Sequence, residues 1–324
     1  MSELTHSAST EPFVVSPSVI LPVCVDENAL PEKHGYSHLA AAVHAQVELE
    51  KQERIAIIRG DLVVRYPAIT HMLSYTRWLL EGPSQTRTTG MLVTGPVGAG
   101  KTTFARLVQR TYARKSGADA VPIISISLTG ARHTRTVYGR ILEALNGPVK
   151  NSHRTSDREA TVVRLLKTVR CRALIVDEVQ DVLAGSLQEQ RRALDAIKFL
   201  MNELQLPILA LGVTAAAEAF RSDMHLDARF KRFELAVWDI GAPFANFLRS
   251  VVRLLPLRKP SRLDTEAAMK FLVKHSGGSL DGIMALIRHA AVHAVVSGEE
   301  HIDSTALQRA LTVPDMEDIY RAAD

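Results

Sequence analysis

The chain has 324 residues, with 39 Lys and Arg against 35 Asp and Glu, 46% hydrophobic and 23% charged positions, and two cysteines. These fractions exclude wholesale disorder and fit a globular protein large enough for more than one core. No run of about 18 apolar residues free of charge occurs, so no membrane span is expected. The apolar patch from Phe13 to Val25 is broken by Pro17 and Pro22 and has no basic residue ahead of it, unlike a secretory signal. Cys24 and Cys171 match no metal or redox spacing, and the 12 histidines form no paired metal motif. A reduced, cytoplasmic protein is the expectation.

The net charge of +4 averages unlike segments. Residues 1–50 hold one basic and 7 acidic residues, whereas 101–172 hold 15 basic and 4 acidic, a net of +11. Residues 238–324 are nearly neutral, with 10 basic and 11 acidic. A basic block of this size is a candidate polyanion-binding surface, because cations that neutralise phosphates release counterions.

In chain order, residues 1–36 read as a polar, partly extended arm. Ser37 predicts the start of a helix to about Ile58, with Leu39, Val43, Val47 and Ile55 among its apolar positions. After Tyr66-Pro67 a second helix runs from about Ala68 to Leu80. Met91–Thr94 reads as a strand, a helix follows from Lys101, and Val121–Leu128 is a second strand. Ser156 and Glu159 predict a capping box before a helix with Val162, Val163, Leu166 and Val169. Ala173–Val176 is a buried-type strand, Leu187–Leu204 a helix, Pro207–Val213 a strand, and Phe233–Trp238 the last strand. Strands alternating with helices predict an α/β fold with a parallel sheet flanked by helices. After Pro243 only helices are expected, near 244–256, 264–275, 280–296 and 304–311. The predicted organisation is an arm (1–36), an α/β domain with leading helices (37–242), a small all-helical lid (243–312) and a tail (313–324). Trp78 and Trp238 are expected in the core.

Gly95-Pro96-Val97-Gly98-Ala99-Gly100-Lys101-Thr102 fits G-x-x-x-x-G-K-[ST] between a predicted strand and a predicted helix. Glycines let backbone N–H groups turn inward around phosphates, and the helix adds its positive N-terminal end. Lys101 is placed to reach the β/γ-phosphates of ATP and the Thr102 hydroxyl to ligate Mg²⁺, with Thr103 closing the loop. Some 75 residues on, Ala173-Leu174-Ile175-Val176 ends in Asp177 and Glu178. Asp177 is placed to hold the Mg²⁺ and Glu178 to act as general base on the attacking water. An Asp-Glu pair here points to an ATPase rather than to most GTPases and kinases. Thr214, after the next strand, is placed either to meet the γ-phosphate or the lytic water, or to cap the following helix. In Asp227-Ala228-Arg229-Phe230-Lys231-Arg232, Arg229 and then Arg232 are the candidates for an arginine offered to a neighbour's nucleotide.

This order of motifs resembles the AAA+ ATPases and, more narrowly, the TniB/TnsC family of DNA transposition ATPases, over roughly residues 37–312. The narrower likeness rests on Glu53-Arg54-Ile55, on Tyr66-Pro67 leading into Gly82-Pro83, and on Gly90-Met91-Leu92-Val93-Thr94-Gly95. It also rests on Asp177-Glu178-Val179-Gln180-Asp181, Leu200-Met201-Asn202-Glu203-Leu204, Gly212-Val213-Thr214 and Arg229-Phe230. The resemblance implies an AAA+ P-loop NTPase fold with a helical lid, and ATP-dependent assembly into rings or helical filaments on double-stranded DNA. It further implies hydrolysis that resets the polymer, a DDE-type transposase and a TniQ-like targeting protein as partners. It places Arg132, His133, Thr134 and Arg135, in the loop expected over 130–136 after the second strand, near the pore that grips the DNA backbone, with Lys150 and Arg154 as secondary candidates. One departure stands out: Gly277-Gly278-Ser279-Leu280-Asp281-Gly282 holds no Arg where many AAA+ lids carry one, and Arg288 follows about two turns later. Two other readings of the same motifs remain: a P-loop ATPase acting on a protein client in secretion or signalling, and an ATP-binding scaffold with little hydrolysis.

Overall fold

The computed structural model describes residues 35–83, 87–113, 123–131, 133–149, 154–315 and 317. The first 34 residues of the arm, Arg132, Lys150 and most of the 313–324 tail lie outside them.

Five parallel strands, β1 (Gly90–Thr94), β2 (Ile123–Ser127), β3 (Ala173–Asp177), β4 (Ile208–Gly212) and β5 (Phe230–Glu234), form one sheet in the order β2-β3-β4-β1-β5. The short continuous apolar runs of β1, β3 and β4 suit strands buried on both faces, and all five residues of each are buried. Side-chain alternation divides these runs between two cores. Leu92, Leu174, Val176, Ile208 and Ala210 join one cluster with α5 (Thr134–Ala144), α6 (Thr155–Thr168), α7 (Leu187–Leu204) and α8 (Thr214–Ser222). Met91, Val93, Ala173, Ile175, Leu209 and Leu211 face the other way, onto α3 (Pro67–Glu81) and α4 (Lys101–Ala113). A short helix α9 (Met224–Asp227) precedes the edge strand β5.

Beyond the sheet come α10 (Ala242–Val252), α11 (Glu266–Ser276), α12 (Leu280–Val296) and α13 (Ser304–Arg309). Their third core also takes in the leading segment: Leu39, Val43, Val47, Ile55 and Ile58 cluster with Phe244, Leu248, Leu272, Ile287 and Ala291. The predicted helix over 37–58 is therefore not continuous. A 3₁₀ turn (Ala41–Val43), α1 (His44–Val47) and α2 (Lys51–Arg59) replace it, and the break lets both Val43/Val47 and Ile55/Ile58 face that one core.

A buried ion pair ties this core together. The guanidinium of Arg54 on α2, fully buried, donates two 2.7 Å bonds to the Glu300 carboxylate, between α12 and α13, and a third to the Pro256 carbonyl at 3.2 Å. Burial pushes the Glu300 carboxyl up, but the Arg54 hydrogen bonds and charge outweigh it, so it sits below its ordinary range.

Four further expectations need correction. Residues 134–136 are the first turn of α5 rather than a loop, held by Val137, Tyr138, Ile141 and Leu142 packing on the sheet. Ser156 and Glu159 form no capping box: Asp157 accepts the Arg154 N–H at 3.0 Å, and Glu159 instead accepts from the Tyr138 hydroxyl at 2.5 Å. The last strand is Phe230–Glu234, so Arg232 lies within it. Trp238 leaves the sheet, its N–H bonded to the Gly278 carbonyl at 2.8 Å and its ring stacked on Phe247 at 4.6 Å. Trp78 is not core: it is 68% exposed, because α3 turns that position away from the sheet.

Replacing Arg54 with Met leaves Glu300 buried and unpaired, and is expected to cost about 3–5 kcal/mol in chemical denaturation. Adding Glu300→Leu should restore most of it. Since the Glu300 carboxyl is lowered in the fold, its share of stability is present above the unfolded value of about 4.5 and is lost as pH falls below it. The double variant should lack that acid-side loss.

Candidate nucleotide site

Parallel register places the carboxyl ends of β1, β4 and β3 side by side, which is where ligands sit on open α/β sheets. From β1 the chain enters the glycine loop and then α4. Gly98 and Gly100 have φ of +75° and +93°, a region that L side chains rarely occupy. A Cβ on Gly100 would stand 2.8 Å from the Leu280 methyl on the lid. Lys101 is buried, and its ammonium donates to the carbonyls of Gly95 and Pro96, both at 2.8 Å. Desolvation holds that ammonium below its ordinary range, partly offset by Glu178, Asp177 and Asp281. Pro96, Val97 and Ala99 complete the loop, with Val97 pointing to solvent and Ala99 packed inward.

Thr102 and Asp177 meet across 75 residues of sequence: the hydroxyl donates to the carboxylate at 2.8 Å. Thr103 is exposed on the next position of α4 and lines an apolar cavity with Gly100. The donor set fits Mg²⁺, because one hydroxyl and one carboxylate converge, and a hard octahedral ion takes few protein oxygens and fills the rest with phosphate and water. Among the described residues no group of three or more His, Cys, Asp or Glu could enclose a metal alone.

Glu178 sits at φ 55°, ψ 40°, a left-handed conformation unusual for a residue with a side chain. Its carboxylate accepts from the Gln180 amide, whose carbonyl accepts the Val213 N–H at 3.1 Å. Gln180 thus bridges the Asp-Glu strand end to the end of β4. A Cβ on Gly212 would be 2.7 Å from the Gln180 carbonyl oxygen, so the bridge requires glycine there. Thr214 is exposed as the first residue of α8 and makes no capping bond. The Gln180 bridge was not predicted: Gln180 is three positions past the strand, and its partner comes from β4.

The lid touches the loop directly. The Asp281 N–H donates to the Gly98 carbonyl at 3.0 Å, so an Asp stands at the lid-helix start where an Arg was sought. Arg288 lines the cavity beside Gly100 and Thr103, together with Val64, Leu280 and Met284, and its Nε is buried without a hydrogen-bond partner among the described residues.

The arginines before and in β5 are engaged within the chain. Arg229 donates to Asn202 at 2.6 Å, and Arg232 pairs with Asp227. Past β2, at the other edge of the sheet from β5, His133 pairs with Glu189 on α7 at 2.6 Å, the Thr134 hydroxyl is buried without a partner among the described residues, and Arg135 is exposed. His133, Thr134 and Arg135 edge a cleft of about 530 Å³ shared with Tyr138, Glu159 and Arg192. Arg154 is exposed at the start of α6. The structure does not bring these residues to the glycine loop.

The description "Bacterial TniB protein" fits residues 54–240, more than half of the chain. The chain belongs to the TniB family. Its fold is that of the AAA+ ATPases. The Aeropyrum pernix ORC2 protein in its ADPNP–ADP complexes superposes with a TM-score of 0.56 at 15% identity, over 88% of this chain and 70% of that one. The A. pernix ORC1 protein in complex with DNA gives 0.55 at 17%, over 81% and 70%. Drosophila ORC bound to DNA gives 0.53 at 17%, over 90% and 70%. In sequence, the human ATPase family gene 2 protein homolog B is 24% identical over 224 residues, which are 67% of this chain and 26% of that protein. No single helix among the described residues is long and apolar enough to cross a membrane.

Gly100→Ala should lower folding stability by about 1–3 kcal/mol through its left-handed backbone and the Leu280 contact. The measurement is a denaturation midpoint without nucleotide, and an unchanged midpoint would contradict the geometry described.

Proposed function

We propose that this TniB-family protein binds ATP at the glycine loop, hydrolyses it slowly, and uses the cycle to assemble on double-stranded DNA and recruit a transposase. The observation that carries the nucleotide half is the Thr102–Asp177 bond, which closes the loop onto the acidic strand end. Bound Mg²⁺ would supply Lewis-acid stabilisation of phosphate charge, held by Thr102 and Asp177. The loop N–H groups from Val97 to Thr103 cradle the phosphates, and Lys101 exchanges its two carbonyl bonds for phosphate oxygens. Glu178 orients and deprotonates the attacking water, held in place by Gln180, while Thr214 stands just past β4 at the start of α8, at the same edge of the sheet. The apolar cavity by Gly100, lined by Val64, Leu107, Leu280 and Met284, adjoins the glycine loop and would take the base.

The lid (243–312) moves with the leading helices of the 37–242 unit, because they share a core. Arg229, or Arg232, leaves its own-chain partner to meet a neighbouring subunit's nucleotide in a ring or helical filament, which ties turnover to assembly. DNA is held by phosphate contacts from the +11 block, with Arg135 and Arg154 among the described cations and Arg132 and Lys150 beyond them. Two neighbours in the fold are named as DNA complexes, which supports this reading. A DDE-type transposase and a TniQ-like protein are the partners it calls for, in the cytoplasm.

Lys101→Ala should abolish nucleotide binding. Glu178→Gln should keep it while lowering turnover by about 10²–10⁴-fold. Gln180→Ala should reduce turnover by roughly 10–100-fold with nucleotide affinity nearly unchanged. Turnover unaffected by Glu178→Gln would sink the hydrolytic role and favour a scaffold. Duplex binding is checked by anisotropy with a slowly hydrolysed ATP analogue at about 0.1 M salt, where no binding contradicts the DNA half.

A further inference from the structure

The lid carries a second concentration of positive charge that its near-neutral total conceals. From 249 to 262 stand Arg249, Arg253, Arg258, Lys259 and Arg262, with no acidic residue among them. Arg249 lies in α10, Arg253 follows its last turn, and Arg258, Lys259 and Arg262 lie on the connection to α11. Arg253, Arg258, Lys259 and Arg262 are exposed, and among the described residues none of the four makes an ion pair. Arg249 faces Asp264 at 3.8 Å.

An ordinary exposed connection would be loosely held. This one is fixed along its length. The Pro256 carbonyl accepts from Arg54, and the Leu257 carbonyl meets the His38 imidazole at 3.0 Å. The Arg258 N–H donates to the Glu300 carboxylate at 3.3 Å, and the Lys259 N–H to the Glu300 carbonyl at 2.9 Å. The Ser261 hydroxyl accepts the Ile302 N–H at 2.9 Å. Leu254, Leu255, Leu257 and Leu263 anchor it in the lid core. The buried Arg54–Glu300 pair is thus the hub of the loop's backbone bonds. Of the carboxylates nearby in the sequence of the clamping segments, Glu300 is taken up by Arg54 and Asp303 caps α13, while Glu299 is exposed.

Like charges crowded on a rigid loop repel one another and do nothing for the fold. What they gain by rigidity is pre-organisation for a polyanion, since little backbone entropy is then lost on binding. The composition selects among polyanions. No aromatic side chain in the loop offers a stacking platform for single-stranded bases. Pro260 is its one exposed apolar residue, so it lacks the large apolar anchor that organises a protein interface. Arg and Lys reading charge alone fit the phosphates of a duplex.

We infer that the lid loop Arg258-Lys259-Pro260-Ser261-Arg262, with Arg253, is a second contact for the backbone of double-stranded DNA, separate from the basic block of the α/β domain. The inference rests on the DNA reading above and adds a site to it. DNA gripped by both the sheet domain and the lid would sense any lid movement that nucleotide binding causes.

The test uses the full chain with the ATP analogue and a fluorescent duplex, titrated across a salt series. Arg258→Ala, Lys259→Ala and Arg262→Ala combined leave every backbone bond named above intact. The triple variant should bind at least about tenfold more weakly near 0.1 M salt, and its slope of log K against log salt should be shallower by up to about 2.7, about 0.9 per lost phosphate contact. Its folding midpoint and nucleotide affinity should match the wild type, and Arg258→Lys with Arg262→Lys should stay close to wild type on DNA. If the wild type binds no duplex, the DNA reading itself falls and the loop's role with it. If the wild type binds and the triple variant matches it in affinity and slope, the lid contact alone is overturned. Loss of binding to phosphatidylserine vesicles with no loss on duplex also overturns it, in favour of a membrane surface.

Discussion

Three strands buried on both faces set the geometry of everything else. Because β1, β4 and β3 are parallel neighbours, their carboxyl ends open on one edge, and each contributes a different group there: the glycine loop, Thr214, and the Asp177–Glu178 pair. The Thr102–Asp177 bond is possible because that register brings the start of α4 over the end of β3. A strand running the other way would carry its carboxylates to the opposite edge. Gln180 then adds a cross-strand strut from Glu178 to Val213, and it fits because Gly212 has no side chain.

A second constraint governs the lid. The leading helices, although first in sequence, share a core with the last four, and the Arg54–Glu300 pair fixes one to the other. A buried pair of this kind is a weak stabiliser compared with apolar packing of the same volume. Its geometric consequence is clearer: the same carboxylate and guanidinium hold the backbone of the basic lid loop. Through Asp281 and Leu280 the lid also rests on the glycine loop, so the lid adjoins the candidate nucleotide site.

The candidate nucleotide site was legible in the sequence because its parts are local, and the fold brings them together. Eight consecutive residues make the loop, and an apolar run ending in two carboxylates needs no knowledge of the rest of the chain. What escaped depends on partners distant in sequence. Gln180 gains meaning only beside Val213, the break at residues 48–50 only from a core built by residues after 243, and the exposure of Trp78 only from how α3 lies on the sheet. Helix α5 was missed since Arg132, His133 and Arg135 at its entrance obscure the Val137, Tyr138, Ile141, Leu142 pattern that follows. The last strand was placed three residues late, because Lys231 and Arg232 on an edge strand read as a turn. The basic block shows in the charge counted along the chain, whereas the lid cations are cancelled in that count by acidic neighbours in sequence.

On the proposed reading, nucleotide and DNA bind one mechanical unit: the basic block lies between the two halves of the candidate nucleotide site in sequence, and the lid adjoins that site. Two ligands that favour one conformation must raise each other's affinity by the same factor. The direct measurement is the affinity of the ATP analogue with and without saturating duplex, set against the affinity of duplex with and without saturating analogue. On this reading both ratios exceed one and agree. Ratios of one, with each ligand binding at full strength alone, would contradict it.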